Sequence, residues 1–243
     1  MVGLRQFGSG QKGLISIGLL SSVARNLLPA ASEKLAEKFP DIELDILEIS
    51  PVEAIDLLYG RQLSVAVLAE DSIAKSILSF SKTNLFEDPY VLAVPKSVSL
   101  ENIRNLDELK NSPVSKALSN IIQFEFGNQH KKRIEEWFTS VLPNSRVFAK
   151  TRTYEVALSM VQSGRGVAVV PALAARLGGK NLDFDVNLYR TNLPVRKIIS
   201  LIPSQYVRVE PYKSFIEALT ETGKKMKLPK IHKVPPILES LSV

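Results

Sequence analysis

The chain of 243 residues contains no cysteine and only two histidines. The absence of cysteine excludes disulfide bridges, thiolate metal sites and cysteine nucleophiles, and it also excludes the lipid-anchored cysteine that many exported binding proteins carry. The two histidines, His130 and His232, lie too far apart in the sequence to form a local metal-binding motif. The sequence therefore predicts no metal site.

Long apolar runs are also absent. No segment approaches the roughly 20 consecutive apolar residues that span a bilayer, and residues 1–12 lack the apolar core of a signal peptide. The hydrophobic content of 45% is ordinary for a globular protein with a core. We therefore expect a cytoplasmic protein that has no contact with a membrane.

The motifs of several common enzyme classes are missing as well. The chain has no G-x-S-x-G elbow and no Walker A loop. Gly8, Gly10 and Gly13 precede the first predicted strand, whereas the glycines of a dinucleotide fingerprint follow it. The segment SGRG at 163–166 falls at a predicted helix end, which favours a cap and a turn. We expect no catalytic residues and no cofactor.

The net charge of +6 raises the question of nucleic-acid binding. The densest basic run lies at 224–233, in a proline-containing tail without interleaved aromatic residues. This composition favours a solvated tail over a DNA contact, although it leaves both readings open.

The most informative segment runs from 13 to 48 and predicts a β-α-β unit. Apolar residues alternate along 14–19, recur at the period of a helix over 22–38, and alternate again over 42–49. Ser21 and Ser22 fall where the strand gives way to the helix, and serine is a favoured helix cap. A helix start at the carboxyl end of a strand points free N–H groups and partial positive charge at whatever binds there. We therefore interpret this unit as ligand-binding.

The segment SIGLLSSVARNLLPAASEKLAEKFPDIELDI resembles the start of the effector-binding domain of LysR-type transcriptional regulators. Three later segments agree with that family in order and spacing: LLYGRQLSVAVL (57–68), LFEDPYVLAVP (85–95) and VQSGRGVAVVP (161–171). The resemblance covers residues 13–219 and implies the α/β fold of the type II periplasmic binding proteins, with two lobes and two crossover segments. The family usually has an acidic residue where this chain has Ser64, so any role of that carboxylate is absent.

The pattern of helices and strands predicts how the chain is shared between the lobes. We expect the first lobe at 13–80 and 191–227, the second at 81–190, a linker remnant or added tail at 1–12, and a C-terminal tail at 228–243. Further expected helices lie at 51–59, 128–141, 153–163, 172–177 and 211–225. Ser50, Pro51 and Glu53 form a capping-box arrangement at the first of these helices.

Ligands of such sheets bind beyond the carboxyl ends of the strands, which in a two-lobed protein is the cleft between the lobes. The candidate ligand-binding residues are those at the predicted strand ends. In the first lobe they are Ser21, Ser22, Ala69 and Glu70; in the second they are Phe124, Gly127, Thr151, Arg152 and Thr153. By resemblance, family members hold small effectors at these positions, and the match is strongest at Ser21 and Ser22.

Each candidate also has a purely structural interpretation. Capping a helix could be the sole role of the two serines and of Thr153, and Thr151 could simply be the last residue of a strand. Glu70 could close a salt bridge between the lobes or bind an amine. Arg152 could be solvated or bind a carboxylate or phosphate. Phe124 could form one face of a strand or an aromatic wall of the cleft.

The resemblance implies a sensor that binds a small-molecule effector and changes the orientation of its lobes. We expect a small organic anion as effector, because helix N-termini, Lys150 and Arg152 surround the proposed cleft. We also expect a homodimer, a tetramer in the full-length protein, and DNA binding only through a winged helix-turn-helix domain before residue 1. A solute-binding protein of a transporter is the second class and needs an export signal; an enzyme is the third and needs an acid-base pair.

Overall fold

The computed structural model describes residues 13–73, 79–105, 112–125, 128–178 and 183–239. Its strands are β1 (Leu14–Leu19), β2 (Glu43–Glu48), β3 (Val65–Ala69), β4 (Phe80–Asp88), β5 (Tyr90–Pro95), β6 (Asn120–Phe124), β7 (Arg146–Thr151), β8 (Ala168–Pro171), β9 (Val186–Arg190) and β10 (Arg196–Pro203). Its helices are α1 (Ser21–Lys38), α2 (Pro51–Tyr59), α3 (Pro113–Leu118), α4 (Asn128–Val141), α5 (Tyr154–Gln162), α6 (Tyr212–Lys224) and α7 (Pro236–Glu239). Short 3₁₀ turns lie at Glu70–Ser72, Ala172–Ala175 and Ser204–Tyr206.

The chain divides into two compact units. The first unit comprises the residues up to Glu87 together with Lys197–Met226, and the second comprises Asp88–Arg196 together with the residues from Lys227 on. The expected lobe boundaries at 80/81 and 190/191 fall earlier than these divisions. Strand β4 belongs to the sheet of the first unit, and residues 191–196 stay with the second unit. The expected tail at 228–243 is also different, since the residues from Lys227 on are grouped with the second unit.

A five-stranded sheet of order β2-β1-β3-β10-β4 forms the centre of the first unit. Strand β1 is parallel to β2 and β3, whereas β10 is antiparallel to β3. Helix α1 follows β1 and buries the apolar face that its period predicts, including Val23, Leu27 and Ala31. Helix α6 packs against α1, and Lys34 forms an ion pair with Glu221 across the two helices.

The second unit contains two small sheets. Strands β8, β5 and β9 form an antiparallel sheet, and β6 and β7 form a parallel pair. Helix α4 buries Ile134, Trp137 and Phe138 in one apolar cluster with β5. Helix α5 buries Ala157 and Leu158 in a second cluster with the other face of β5. The sheet of β5 is therefore covered on both faces.

Several predicted elements coincide with the structure and others do not. Strand β1 and helices α2 and α4 have the expected bounds, and Ser50 caps α2 by accepting a hydrogen bond from the Glu53 N–H at 3.2 Å. The segment 85–95 is two strands, because Pro89 separates β4 from β5. The helix expected at 172–177 is only a 3₁₀ turn. Gly164 has a positive φ of 74°, in agreement with a turn at SGRG.

A buried ion pair joins the first and last residues of the long segment of the second unit. Asp88 is fully buried and Arg196 is 4% exposed, and the Arg196 Nη2 group donates to the Asp88 Oδ2 atom. The other carboxylate oxygen of Asp88 accepts from the Leu173 N–H at 3.0 Å. Burial lowers the pKa of the Arg196 guanidinium, but the Asp88 carboxylate together with Tyr90 and Tyr154 outweighs this effect and raises the pKa overall. The Arg196 guanidinium therefore keeps its charge.

Removing one charge of this pair should destabilise the protein strongly. Asp88→Asn leaves the Arg196 guanidinium charged and buried without a counter-ion, so we expect the free energy of unfolding to fall by about 3–5 kcal/mol. Urea unfolding of the variant measures this loss. The matched control is Lys132→Ala, which removes an exposed i,i+4 pair with Glu136 and should leave the midpoint unchanged. A loss below about 1 kcal/mol in Asp88→Asn would show that the pair is not a structural constraint.

Candidate functional site

The candidate residues of the first unit lie where neighbouring parallel strands end. Leu19 of β1 pairs with Val67 of β3. Ser21 and Ala69 each lie two residues beyond this pair, at corresponding positions of the two strands. The carboxyl ends of parallel strands meet at one edge of a sheet. The start of α1, Ala69 and Glu70 are thus placed at the same edge of the first unit.

The two serines do not cap α1, so this prediction is wrong. The capping position is occupied by Leu20, which has extended backbone angles and offers no side-chain hydrogen bond. Ser21 and Ser22 are instead the first two helical residues. Ser22 is 2% exposed, and its Oγ atom is buried without a hydrogen-bond partner among the described residues. A buried hydroxyl without a partner is rare in proteins and calls for an explanation.

Glu70 has a partner within its own unit. Its carboxylate forms an ion pair with Lys82 of β4, and both side chains are about one-third to one-half exposed. The sequence left open a salt bridge from Glu70 to the other lobe. The pair observed is instead with Lys82 of the same unit. Ala69 is 3% exposed, so that only its backbone is a candidate for ligand contact.

The candidate residues of the second unit also meet at a strand edge. Phe124 of β6 and Thr151 of β7 are paired in register, and the Glu125 N–H donates to the Thr151 carbonyl at 2.7 Å. Strand β7 leads through Arg152 and Thr153 into α5. This edge thus repeats the arrangement of the first unit, with a helix that begins just beyond a parallel strand.

Thr153 caps helix α5, as one of its two sequence interpretations expected. Its Oγ1 atom accepts a hydrogen bond from the Val156 N–H at 3.4 Å. The Thr151 hydroxyl is held locally, since it donates to the Thr153 carbonyl and accepts from the Thr153 N–H, both at 3.3 Å. The aromatic ring of Phe124 stacks on Tyr154 with centroids 3.8 Å apart. These contacts fix the start of α5 against the end of β6.

A cluster of opposite charges lies beside this edge. The Glu125 carboxylate accepts from the Lys131 Nζ atom at 2.9 Å and lies 3.2 Å from the Lys150 Nζ atom. Hydrogen bonding from the two lysines lowers the pKa of Glu125, and the same contact raises the pKa of Lys131. Arg152 is exposed and forms no ion pair with the described residues. Lys131 also lies 3.9 Å from the Glu135 carboxylate, so the two lysines and the two carboxylates of this cluster balance, and Arg152 is an exposed cation that follows Lys150 by two residues.

Two residues at the edge of the second unit have no sequence prediction behind them. Glu125 follows Phe124 directly in the sequence. Its charge, opposite to that of the basic residues of this region, was the only sequence signal for an ion pair here. Tyr154 is the first residue of α5, and burial raises the pKa of its phenol. Its position after a capping threonine gave no hint of the stack on Phe124. Gly127 lies outside the described residues.

A search of the described residues finds no group of three or more histidine, aspartate or glutamate side chains that could hold a metal ion. In the same part of the chain, no helix is both long enough and apolar enough to cross a bilayer.

The two α/β units, the mixed five-stranded sheet and the helix starts at strand ends define a periplasmic-binding-protein-like fold. A sequence model of the LysR substrate binding domain matches residues 8–224. The chain belongs to the LysR substrate-binding domain family.

Individual proteins agree with this assignment. The HTH-type transcriptional regulator CysB of Haemophilus influenzae is 25% identical over 170 residues, which are 67% of this chain and 48% of that protein. The chain therefore spans about half the length of the curated relatives it matches. The reduced OxyR regulatory domain from Pseudomonas aeruginosa has a TM-score of 0.64 and 16% identity, with 86% of this chain and 98% of that domain covered. The effector-binding domain of QuiR in complex with shikimate has a TM-score of 0.63 and 16% identity, with 88% and 99% covered.

Replacing Ser22 distinguishes two roles of its hydroxyl, that of a helix cap and that of a buried group without a hydrogen-bond partner. Burying a hydroxyl without a partner costs about 1–3 kcal/mol, and alanine is the better helix former. We therefore expect Ser22→Ala to keep or raise the free energy of unfolding in urea. Ser50→Ala is the matched control, since it removes a real cap and should lower this free energy by about 1 kcal/mol. Equal losses in both variants would show that the Ser22 hydroxyl has a partner in the folded protein.

Proposed function

We propose that this chain is the effector-sensing domain of a cytoplasmic LysR-type transcriptional regulator and that it has no catalytic activity of its own. The family match over residues 8–224 carries this proposal, because the relatives are transcriptional regulators. In the whole protein, a separate domain binds DNA, and binding of a small molecule shifts the population of conformations of the sensor. The same match favours a regulator over a solute-binding protein of a transporter.

The proposed effector contacts are assigned to the strand edge of each unit separately. In the first unit they include Ser21, Ser22, the backbone at Ala69, and Glu70; in the second they include Phe124, Gly127, Thr151, Arg152 and Thr153. The buried and unpartnered hydroxyl of Ser22 supports this assignment, since a ligand atom could complete its hydrogen bonding. The helix starts at both edges supply N–H donors that suit an acceptor on the ligand.

The charges of the described residues support a small organic anion as the effector. Lys82 offsets the carboxylate of Glu70, which otherwise opposes an anion. In the second unit, Lys131 and Lys150 balance the carboxylates of Glu125 and Glu135, and Arg152 adds an exposed cation. The QuiR domain binds shikimate, which is a hydroxylated carboxylic acid. A carboxylate that also carries hydroxyl groups would use both the cationic side chains and the serine hydroxyls.

Ligand binding can be tested with a panel of small carboxylates that includes shikimate, compared with amines and neutral sugars. A ligand at a hundredfold excess over its Kd stabilises the folded state by about 2.7 kcal/mol, which is a readily measured rise in Tm. We expect at least one carboxylate to raise the Tm. A panel in which only amines or neutral sugars raise it would overturn the anion proposal.

The serines can then be tested with the carboxylate that binds. Ser21→Ala and Ser22→Ala should each fold normally, because neither hydroxyl caps a helix. If a serine donates to the ligand, its loss should cost about 1 kcal/mol of binding, or roughly a fivefold rise in Kd by calorimetry. Ser50→Ala should show the opposite pattern, with lower stability and unchanged Kd. Unchanged affinity in both test variants would remove the serines from the site.

A homodimer is part of the proposal, and two grooves offer apolar surface for it. One groove of about 290 Å³ lies between α1 and β2 and is lined by Leu35, Ala36 and Leu44 among others. The other, of about 340 Å³, lies between α4 and the strands β6 and β7 and is lined by Phe138 and Val147 among others. Ile46, Val147 and Phe148 on the adjoining strands are nearly half exposed. Clusters of exposed apolar side chains mark interaction sites.

Light scattering should return about twice the chain mass of 26.9 kDa at tens of micromolar. Val147→Glu places a charge in the groove of α4 and should shift the mass to that of a monomer. The control Val52→Glu changes a residue of α2 that is 68% exposed and lines neither groove, so it should remain dimeric. A monomer mass for the unmodified chain would contradict the proposal.

A further inference from the structure

The residues after α6 form an extended segment that the sequence treated as a solvated tail. Residues 227–239 are described in the structure and are grouped with the second unit, whereas α6 before them belongs to the first. The family match ends at 224, so this segment lies outside the matched residues. We call residues 227–239 the C-terminal strap.

Main-chain hydrogen bonds attach the strap to an edge of the second unit. The His232 N–H donates to the Leu188 carbonyl at 2.7 Å, and the Arg190 N–H donates to the His232 carbonyl at 3.0 Å. Strand β9 is the outer strand of its sheet, so the strap occupies a row of groups that would otherwise face water. The His232 Nδ1 atom also lies 2.8 Å from the Glu101 carboxylate.

Apolar side chains of the strap complete both cores of the second unit. Leu228 and Ile231 pack against the cluster that contains α5. Ile237 and Leu238 are 6% and 2% exposed and belong to the cluster that contains α4. Burial of aliphatic side chains from water is favourable, so apolar contacts hold the strap at several points along its length.

The connection between α6 and the strap has no slack. The Lys225 N–H donates to the Thr222 carbonyl at 3.1 Å and the Met226 N–H to the Gly223 carbonyl at 3.0 Å, which fixes both residues to the end of α6. The next residue, Lys227, is held at its carbonyl by the Arg176 guanidinium of the second unit. Two successive residues are therefore attached to different units, and consecutive Cα atoms can be only about 3.8 Å apart.

We propose that the strap is a third tether between the two units and that it restrains their relative motion. The other two tethers are the divisions at 87/88 and 196/197. A change of orientation must either rotate the backbone at 226–227 or detach the strap from β9 and from both apolar clusters. The strap thus raises the free energy of the rarer orientations and, given the proposed function, the amount of binding energy that an effector must supply to populate them.

The test introduces slack without removing the strap. An insertion of about eight Gly and Ser residues between Met226 and Lys227 has an r.m.s. length of about 15 Å and leaves every strap contact intact. The matched control carries the same insertion between Pro143 and Asn144, in an exposed turn of the second unit. Because the chain has no cysteine, Val52→Cys and Lys132→Cys give one spin-label site in each unit at positions that are 68% and 79% exposed.

Pulsed electron paramagnetic resonance measures the distribution of distances between the two spin labels. The labelled chain is diluted in unlabelled protein for this measurement. We expect a broader distribution for the 226/227 insertion than for the control insertion and the uninserted chain. Hydrogen exchange of the Arg190 N–H shows whether the strap stays on β9. If this N–H loses its protection, the strap has detached and the third tether is also released. We therefore expect a broader distance distribution in either case. Equal widths in all three proteins would overturn the proposal. No effector is present, so this failure would leave the proposed effector binding untouched.

Discussion

The buried ion pair between Asp88 and Arg196 joins the two ends of the long segment of the second unit. These are the places where the chain enters and leaves that segment. The geometry around them explains why both ends stay fixed. Asp88 also accepts from the Leu173 N–H at the turn after β8, and Arg196 and Asp88 interact electrostatically with the buried phenol of Tyr154. Tyr154 in turn stacks on Phe124, one of the proposed effector residues, so the buried ion pair and this strand edge both act on the same side chain.

Both units place their candidate residues by the same local rule, in which a helix begins just beyond a parallel strand. They differ in how the helix start is satisfied. In the second unit Thr153 caps α5, and its hydroxyl is already used. In the first unit Leu20 leaves α1 without a side-chain cap, and the Ser22 hydroxyl beside it is unused. The strand edge of the first unit therefore has an uncapped helix start and an unused hydroxyl, whereas that of the second unit has the exposed cation Arg152.

Local patterns predicted the elements whose formation depends on neighbours in sequence. The start of α2 followed from the capping arrangement of Ser50, Pro51 and Glu53, and the expected range 128–141 coincides with α4. The cap of α1 was predicted wrongly: serine is a favoured capping residue, but the helix already begins at Ser21 and Leu20 takes the capping position. The contacts of Glu70 with Lys82 and of Asp88 with Arg196 join residues far apart in the chain, so no local pattern reports them.

The strap shows most clearly where composition misleads. Its lysines and prolines are typical of a solvated tail, yet Pro229 and Pro235 are buried and its apolar residues alternate with the lysines. A proline cannot donate to a ladder, and the strap accordingly pairs with β9 only through His232. Side-chain burial therefore supplies most of its attachment, which a count of charges does not detect. A segment of this kind can hold an edge strand while leaving its lysine ammonium groups in water, and this accounts for a basic composition in an ordered part of the chain.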